Sequence, residues 1–315
     1  MSFSENVKNE LVKRDCQWDC CAKMELAQAL LLSGGVAFRG RGKYGLSLAT
    51  ENNSVYKYYL GLVKRFFGVA CEIRTMKLSR LGEERQKYEL TIPEEHVDRL
   101  MTELMLYDEN ALFGVRQAPA RELFDRECCK AAFLKSSFLI SGSLSNPEKE
   151  YSLDISAGSE EMAACVCDAM RELDLNARVS PRKAHFVAYL KSAEDISTYL
   201  IHAGAHSAVL SLENTRIYKE LRNQVNRAAN CDSNNIERTV KSAQSQIEDI
   251  ELVDKRIGLE KLPAPVREIA LLRLSEPNAS LTELGGMCSP PIGKSGVNNR
   301  LRRITEMAKN LRGED

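Results

Sequence analysis

The sequence lacks a net charge, because forty-four Lys and Arg residues balance forty-four Asp and Glu residues among its 315. This balance excludes a protein that coats nucleic acid through an overall positive field, so any such contact has to come from local basic surfaces. The sequence also lacks a continuous apolar run of about 18 residues, which a membrane-spanning helix requires. Its first ten residues lack the apolar core of a signal peptide. We therefore expect a cytoplasmic protein that has no membrane partner.

None of the ten cysteines forms a CxxC pair, the usual spacing of a zinc site. In a reducing cytoplasm we expect thiols rather than disulfides, most of them small core residues. The motif His202-Ala-Gly-Ala-His206 has metal-ligand spacing, but Gly204 weakens a helix there and favours a helix end. The sequence also lacks a Walker-type loop and a nucleophile elbow. We therefore predict no metal, no cofactor and no small-molecule substrate.

What the chain does contain is an internal repeat. Cys20-Cys21 recurs 108 residues later as Cys128-Cys129, and with the same offset residues 30–34 (LLLSG) recur as residues 138–142 (FLISG). In each copy an alternating run, an amphipathic stretch, a short strand, a charged turn, another strand and a final helix follow. These periodicities are typical of half-buried strands covered by helices. Rather than a chance likeness, we predict an α+β fold of two repeats, about 16–106 and 124–208, each in the order α-β-α-β-β-α.

The first helix of each repeat is apolar on nearly every side, which predicts that it is buried. Residues 26–34 and 134–142 close these helices, and both end in Ser-Gly, where glycine lets the chain turn sharply. We expect the two helices to pack together along a pseudo-twofold axis. The two segments fill the nine positions of the motif that names the LAGLIDADG homing endonucleases, and the chain resembles that family.

The resemblance implies a nuclease scaffold, but the sequence departs from it where the family holds catalytic Mg²⁺. The family has a carboxylate before the final glycine, and this chain has Ser33 and Ser141. A hydroxyl is a poor sole ligand for a hard divalent ion, and two-metal cleavage needs the missing charges. We therefore predict that the protein is not an enzyme, with Ser33 and Ser141 as degenerate positions and no catalytic residue.

After the repeats, residues 213–256 form a long polar stretch with helical spacing, scattered cations in its first part and acids near its end. A solvated connecting helix is the simpler interpretation, and a basic arm that contacts phosphates is the alternative. The predicted domains are a LAGLIDADG-like domain at residues 1–210, a connecting segment at residues 211–258 and a DNA-binding domain at residues 259–315.

The last domain is predicted to contain three helices. The first follows Leu-Pro-Ala-Pro, where proline suits a helix start. Ser280 and Glu283 have capping-box spacing at the start of the second. The third runs from about residue 294 to residue 308, and Val297, Leu301 and Ile304 fall on one face of it. Ser-Pro-Pro makes the turn before this helix longer than in a compact helix-turn-helix.

The opposite face of the third helix is basic and polar. Residues 293–312 contain six cations and one acid, a local charge of +5 in a neutral chain. Arginine reads guanine and asparagine reads adenine through paired hydrogen bonds, and a basic helix after a short helix and a turn is the helix-turn-helix arrangement. A small bundle with a solvated basic face is the alternative. The predicted DNA-binding residues are Ser280, Thr282, Lys294, Ser295, Asn298, Asn299, Arg300, Arg302 and Arg303.

Almost the whole chain resembles the WhiA family of bacterial sporulation and cell-division regulators. Shared segments include the opening MSFS, the GAH after the second repeat, RNQVNR at residues 222–227 and the specific run PPIGKSGVN at residues 290–298. The resemblance implies a non-catalytic, nucleoid-associated regulator that binds specific double-stranded DNA and acts in transcription, sporulation, cell division or chromosome segregation. An active homing-type endonuclease and a protein-interaction adaptor in division remain the alternatives.

Overall fold

The structure, a computed structural model, describes residues 2–80 and 83–313. It divides into two compact units, one that ends at Glu220 and one that starts at Leu221. In the described part of the chain, each helix is too short or too polar to span a membrane.

The first repeat follows an N-terminal helix, α1 (Phe3–Leu11), and contains seven elements. They are α2 (Asp19–Leu32), β1 (Val36–Gly40), β2 (Lys43–Thr50), α3 (Asn53–Phe67), β3 (Glu72–Arg80), β4 (Glu83–Thr91) and α4 (Glu94–Glu103). The strands form an antiparallel sheet in the order β1-β2-β4-β3. Leu48 of β2 lies opposite Leu90 of β4, and both are buried, so the alternation of apolar residues fixes the register of the central strands.

The second repeat has the same order of elements and the same sheet topology, β5-β6-β8-β7. Its elements are α5 (Glu127–Ser141), β5 (Gly142–Leu144), β6 (Leu153–Ala157), α6 (Glu160–Arg171), β7 (Arg178–Arg182), β8 (His185–Leu190) and α7 (Ala193–Ala203). The predicted repeat is confirmed, but its predicted order was wrong by one strand. Each unit is α-β-β-α-β-β-α, because β1 and β5 pair in hairpins with the strands that follow them. After α7, Gly204 adopts a left-handed φ of 95° and ends the helix, as predicted for the His-Ala-Gly-Ala-His segment.

Helices α2 and α5 pack against each other in the centre of the first unit, as predicted. Small side chains bring the two backbones close. Gln28 Nε2 donates a hydrogen bond to Ser137 Oγ at 2.8 Å, and Ser136 Oγ donates one to the Glu25 carbonyl oxygen at 2.8 Å. These bonds pair polar groups that would otherwise be buried without partners, and they fix the helix register.

A buried ion pair joins the same two helices. Lys135 Nζ of α5 lies 3.3 Å from Glu25 Oε1 of α2, and both side chains are almost fully buried. Lys135 also donates to the Tyr58 hydroxyl at 2.6 Å and to the Arg14 carbonyl oxygen at 2.8 Å, while Tyr58 donates to Glu25. The charges are therefore held in a network that connects α2, α3, α5 and the segment that follows α1.

The sharp turn that follows α2 depends on a glycine. Gly34 has a left-handed φ of 69°, and a Cβ on Gly35 would lie 1.7 Å from the Ser47 carbonyl oxygen of β2. The Gly35 position therefore admits only glycine. The Gly35 carbonyl oxygen also accepts a hydrogen bond from the Ser47 amide at 2.8 Å, which holds the two backbones at this close distance. The Ser-Gly-Gly sequence thus sets where Ser33, at the end of α2, lies relative to the sheet.

The second unit is built from helices alone in its described part. After the long helix α8 (His206–Arg256) come α9 (Ala264–Ser275), α10 (Leu281–Met287) and α11 (Lys294–Arg312). Their core is formed by the buried side chains of these helices and by Ile250 and Val253 of α8. The hydrophobic core of this unit therefore includes part of α8, which lies before residue 259, the predicted start of the DNA-binding domain.

Candidate nucleic-acid interface

The second helix of the candidate interface, α10, begins at a complete capping box. Ser280 Oγ accepts the Glu283 backbone N–H at 3.3 Å, and a Glu283 carboxylate oxygen accepts the Ser280 backbone N–H at 2.7 Å. This confirms the helix start that the Ser-x-x-Glu spacing predicted. The hydrogen bond from the Ser280 backbone also lowers the pKa of Glu283 below its ordinary value. Ser280 and the exposed Thr282 thus lie in the first turn of α10.

Two residues that sequence reasoning missed set the geometry of the turns. Arg273 is a buried cation of α9 whose Nη1 donates to the Pro277 and Ala279 carbonyl oxygens, which fixes the turn between α9 and α10. Gly285 of α10 approaches the next turn so closely that a Cβ would lie 2.2 Å from the Ile292 carbonyl oxygen. Glycine is unfavourable inside a helix. Its presence in a helix of seven residues was therefore the feature of the sequence from which a close backbone contact could have been predicted.

Helix α11 separates an apolar face from a polar one, as predicted. Val297, Leu301 and Ile304 are buried at 0%, 2% and 1% exposure, and Ala308 continues this face. On the other side, Ser295, Asn299, Arg302 and Arg303 are exposed, and Lys294 and Asn298 are exposed beside them. The helix is longer than predicted, because it continues to Arg312, whose Nη2 lies 2.8 Å from the buried Asp249 Oδ1.

The N-terminus of α11 adds a second feature that suits an anion. Gly293 is the N-cap residue and has no side chain to accept the first amide groups. Unpaired amides at a helix start carry partial positive charge and bind phosphate oxygens. Lys294 and Ser295 occupy this first turn, so a cation and a hydroxyl flank the free amides.

Two predicted arginines have partners within the unit. Arg300 Nη1 lies 3.4 Å from Glu268 Oε2 and donates to the Pro265 carbonyl oxygen, so its side chain points toward α9. Glu268 also accepts the Ser289 amide at 2.8 Å, which ties α9, the turn and α11 together. Arg302 Nε lies 3.0 Å from Glu306 Oε1 one turn away, but its side chain is 74% exposed. A surface pair of this kind is weak and opens easily.

The degenerate nuclease positions lie together, at the ends of α2 and α5. Ser33 and Ser141 line one open concave region with Glu5, Glu51, Lys8 and Lys87. Ser33 Oγ donates to the Leu30 carbonyl oxygen of its own helix at 3.3 Å, and Ser141 Oγ has no hydrogen-bond partner among the described residues. Glu25 of α2 and Asp154 of β6 are engaged elsewhere: Glu25 pairs with Lys135, and Asp154 accepts the Ser152 hydroxyl at 3.0 Å. Glu5 and Glu51 were missed, since each is remote in sequence from both serines.

Together these features define a class of protein: two LAGLIDADG-like α+β repeats followed by a helix-turn-helix domain. Three family models match the chain: the WhiA N-terminal LAGLIDADG-like domain at residues 19–107, the WhiA LAGLIDADG-like domain at residues 130–222 and the WhiA C-terminal HTH domain at residues 225–308. The chain belongs to the WhiA family, which confirms both the predicted family and the predicted fold class.

Relatives match over nearly the full length. The "Probable cell division protein WhiA" of Desulforamulus reducens is 40% identical over 312 residues, 99% of this chain and 97% of the relative. The protein of the same name from Clostridium botulinum is 37% identical over 313 residues, 99% of each chain. The crystal structure of full-length DUF199/WhiA from Thermatoga maritima has a TM-score of 0.58 at 23% identity and covers 98% of this chain and 99% of that chain, a likeness of fold.

Proposed function

We propose that the protein is a non-catalytic, sequence-specific DNA-binding regulator that acts in cell division. The observation that carries this proposal is the exposed basic face of α11, whose opposite face is buried in the helix-turn-helix core. The name of its relatives supports the cellular process. Transcription control, sporulation and chromosome segregation are the finer roles, and the nucleoid is the proposed location. The limit at residue 210 is likewise proposed, and residues 259–315 are proposed to contact DNA within a unit whose core also includes Ile250 and Val253 of α8.

Within the interface we assign separate roles to the predicted residues. Asn298, Asn299, Arg302 and Arg303 face the major groove, where base edges carry the sequence. Ser280, Thr282, Lys294 and Ser295 lie at helix starts and contact phosphates, which fixes the orientation on the duplex. Arg300 reaches a phosphate only if its pair with Glu268 opens, so it contributes less than Arg302 does.

Replacing Asn299 or Arg302 by alanine is expected to reduce sequence preference while the fold is kept. Neither side chain belongs to the buried face, and a lost base contact costs about 1–3 kcal/mol of discrimination. Chromatin immunoprecipitation with sequencing first supplies the target. Gel-shift competition between the target and a scrambled duplex then measures the specificity ratio of each variant.

The matched control for this experiment is Asn310→Ala. Asn310 is exposed on the same helix about three turns after Asn299, where the helix leaves the groove. We expect its specificity ratio to equal that of the wild type. Wild-type ratios for Asn299→Ala and Arg302→Ala together would contradict the groove assignment. Absence of DNA binding altogether would favour the adaptor in division.

We further expect that the purified protein does not cut DNA with Mg²⁺ or Mn²⁺, including at sites that it binds. Ser33 and Ser141 supply no charge where the two helix ends would hold the metal, so the clamp for attacking and leaving oxygens does not assemble. Supercoiled plasmid that carries a bound site is incubated with each metal and examined for nicks.

A Ser33→Ala, Ser141→Ala protein prepared in parallel shows whether any nicking depends on the two serines. Metal-dependent nicking by both proteins that is lost in a Glu5→Gln, Glu51→Gln variant would assign the chemistry to these other carboxylates and contradict the proposal. Nicking that persists in all three preparations and stays with the protein through repurification comes from other residues of the chain and also contradicts the proposal, whereas nicking that repurification removes comes from a contaminant.

A further inference from the structure

Four cysteines from the two repeats meet at the start of the central helices. Cys20 and Cys21 are the second and third residues of α2, and Cys128 and Cys129 are the second and third residues of α5. Their four Sγ atoms lie within 4.8 Å of one another. Cys20 Sγ is 4.0 Å from Cys21 Sγ and 3.9 Å from Cys128 Sγ. The packing of α2 on α5 therefore creates a four-sulfur cluster from two Cys-Cys pairs.

We propose that this cluster binds one zinc ion through four thiolates and joins the two repeats. In a tetrahedral site a Zn–S bond of about 2.3 Å places neighbouring sulfurs about 3.8 Å apart, close to the distances found here. A set of four sulfur ligands selects zinc or iron over hard ions such as Mg²⁺. A multi-iron cluster fits poorly, because its cysteines bind different irons and their sulfurs have to stand further apart.

Two helix starts lie beside the cluster. The N-termini of α2 and α5 both point at it, and neither N-cap residue, Trp18 or Arg126, gives a side-chain hydrogen bond to its helix. Helix starts stabilise negative charge. The two helix starts and the nearby Arg126 therefore offset part of the negative charge that four thiolates bring.

Access and proton balance are also satisfied. Cys21 and Cys129 are buried, while Cys20 and Cys128 are partly exposed and leave a route for an ion from solvent. On binding, each of the four thiols forms a bond to zinc and releases its proton to water, so the site gains a net charge of −2 that the helix starts and Arg126 offset. All four cysteines are free thiols in the structure.

The place of the cluster in the fold indicates a structural role. With four protein ligands the ion has no open position for a substrate. The cluster lies at one end of α2, and Ser33 lies at the other, about 20 Å away along the helix. A zinc ion there holds the starts of both central helices together and takes no part in chemistry at the serines.

Elemental analysis of the full-length protein tests the proposal. The protein is purified with a non-chelating reductant and without a metal-binding tag, and zinc is measured by plasma mass spectrometry. We expect about one zinc per chain in the wild type and none in Cys20→Ser, Cys128→Ser. Cys231→Ser removes an exposed thiol of α8 and is the matched control, which keeps its zinc.

Measurements on the wild type guard against a variant that does not fold. Titration with an organomercurial is expected to release one zinc as four thiols react. Co²⁺ exchanged into the site is expected to give sulfur-to-cobalt charge-transfer bands and the intense visible bands of a tetrahedral ion. A strong chelator is expected to lower the melting temperature. Three results would each overturn the proposal. They are a wild type that contains no zinc, a Cys20→Ser, Cys128→Ser double variant that contains as much zinc as the wild type, and disulfides between these cysteines in place of the metal.

Discussion

Reversing three charges on the basic face of α11 is expected to lower DNA affinity by roughly two to three orders of magnitude at moderate salt. The change Lys294→Glu, Arg302→Glu, Arg303→Glu converts the local charge of residues 293–312 from +5 to −1. These cations release condensed counterions when they neutralise phosphates, so the salt dependence of binding is expected to weaken by about one unit of slope for each lost contact. Gel shifts of the full-length protein at several salt concentrations measure both quantities.

The control reverses the same number of charges elsewhere. Lys57 and Lys64 of α3 and Arg171 of α6 are exposed on helices of the first unit. If the global charge alone governed binding, Lys57→Glu, Lys64→Glu, Arg171→Glu would weaken it equally. We expect this variant to keep nearly wild-type affinity and salt slope, and an equal loss in both variants would contradict the proposed interface.

Lys135→Met is expected to destabilise the first unit by about 3–5 kcal/mol, because it leaves the Glu25 carboxylate buried without its cation. Burial already raises the pKa of Glu25, and the charge of Lys135 and the hydrogen bond from Tyr58 only partly offset that effect. Urea unfolding, followed by circular dichroism, measures the free energy of unfolding of each variant.

The pH dependence of this variant follows from the same shift. Without Lys135 the pKa of Glu25 rises further above its value in the unfolded chain, so the folded state holds a proton that the unfolded state releases. The variant is therefore expected to lose stability as pH rises from about 5 toward 8. Equal destabilisation at both ends of this range would show that Glu25 is not the cause.

Two further variants separate charge from packing. Glu25→Gln, Lys135→Met removes both charges and is expected to be milder than the single change, since no buried charge is left unpaired. Lys43→Met breaks an exposed pair with Glu94 in the same unit and is expected to leave stability unchanged. A double variant as unstable as Lys135→Met would show that the lysine acts through its packing alone.

Regular patterns along the chain predicted most of the elements. The Ser280–Glu283 spacing located the start of α10, and the Val297–Leu301–Ile304 spacing located the buried face of α11, because caps and helical faces depend on residues within about two turns. Hairpin strands β1 and β5 escaped prediction for a local reason as well. Strand β1 is mostly exposed and β5 has three residues, so neither shows apolar alternation over a sufficient length.

The sequence by itself determined the repeat, the central helices that end in Ser-Gly, the missing carboxylates and the basic helix α11. Each of these features depends on residues that are neighbours along the chain or that recur at a fixed offset. Only the tertiary structure decided which distant groups meet. Glu25 pairs with Lys135 across 110 residues, and Cys20 meets Cys128 across 108. From the sequence alone, the cysteines are interpreted as small core residues. Periodicity predicts which face of a helix is buried, but it does not predict which helix packs against that face or how the two helices are aligned along their axes. That register turns two Cys-Cys pairs into one cluster.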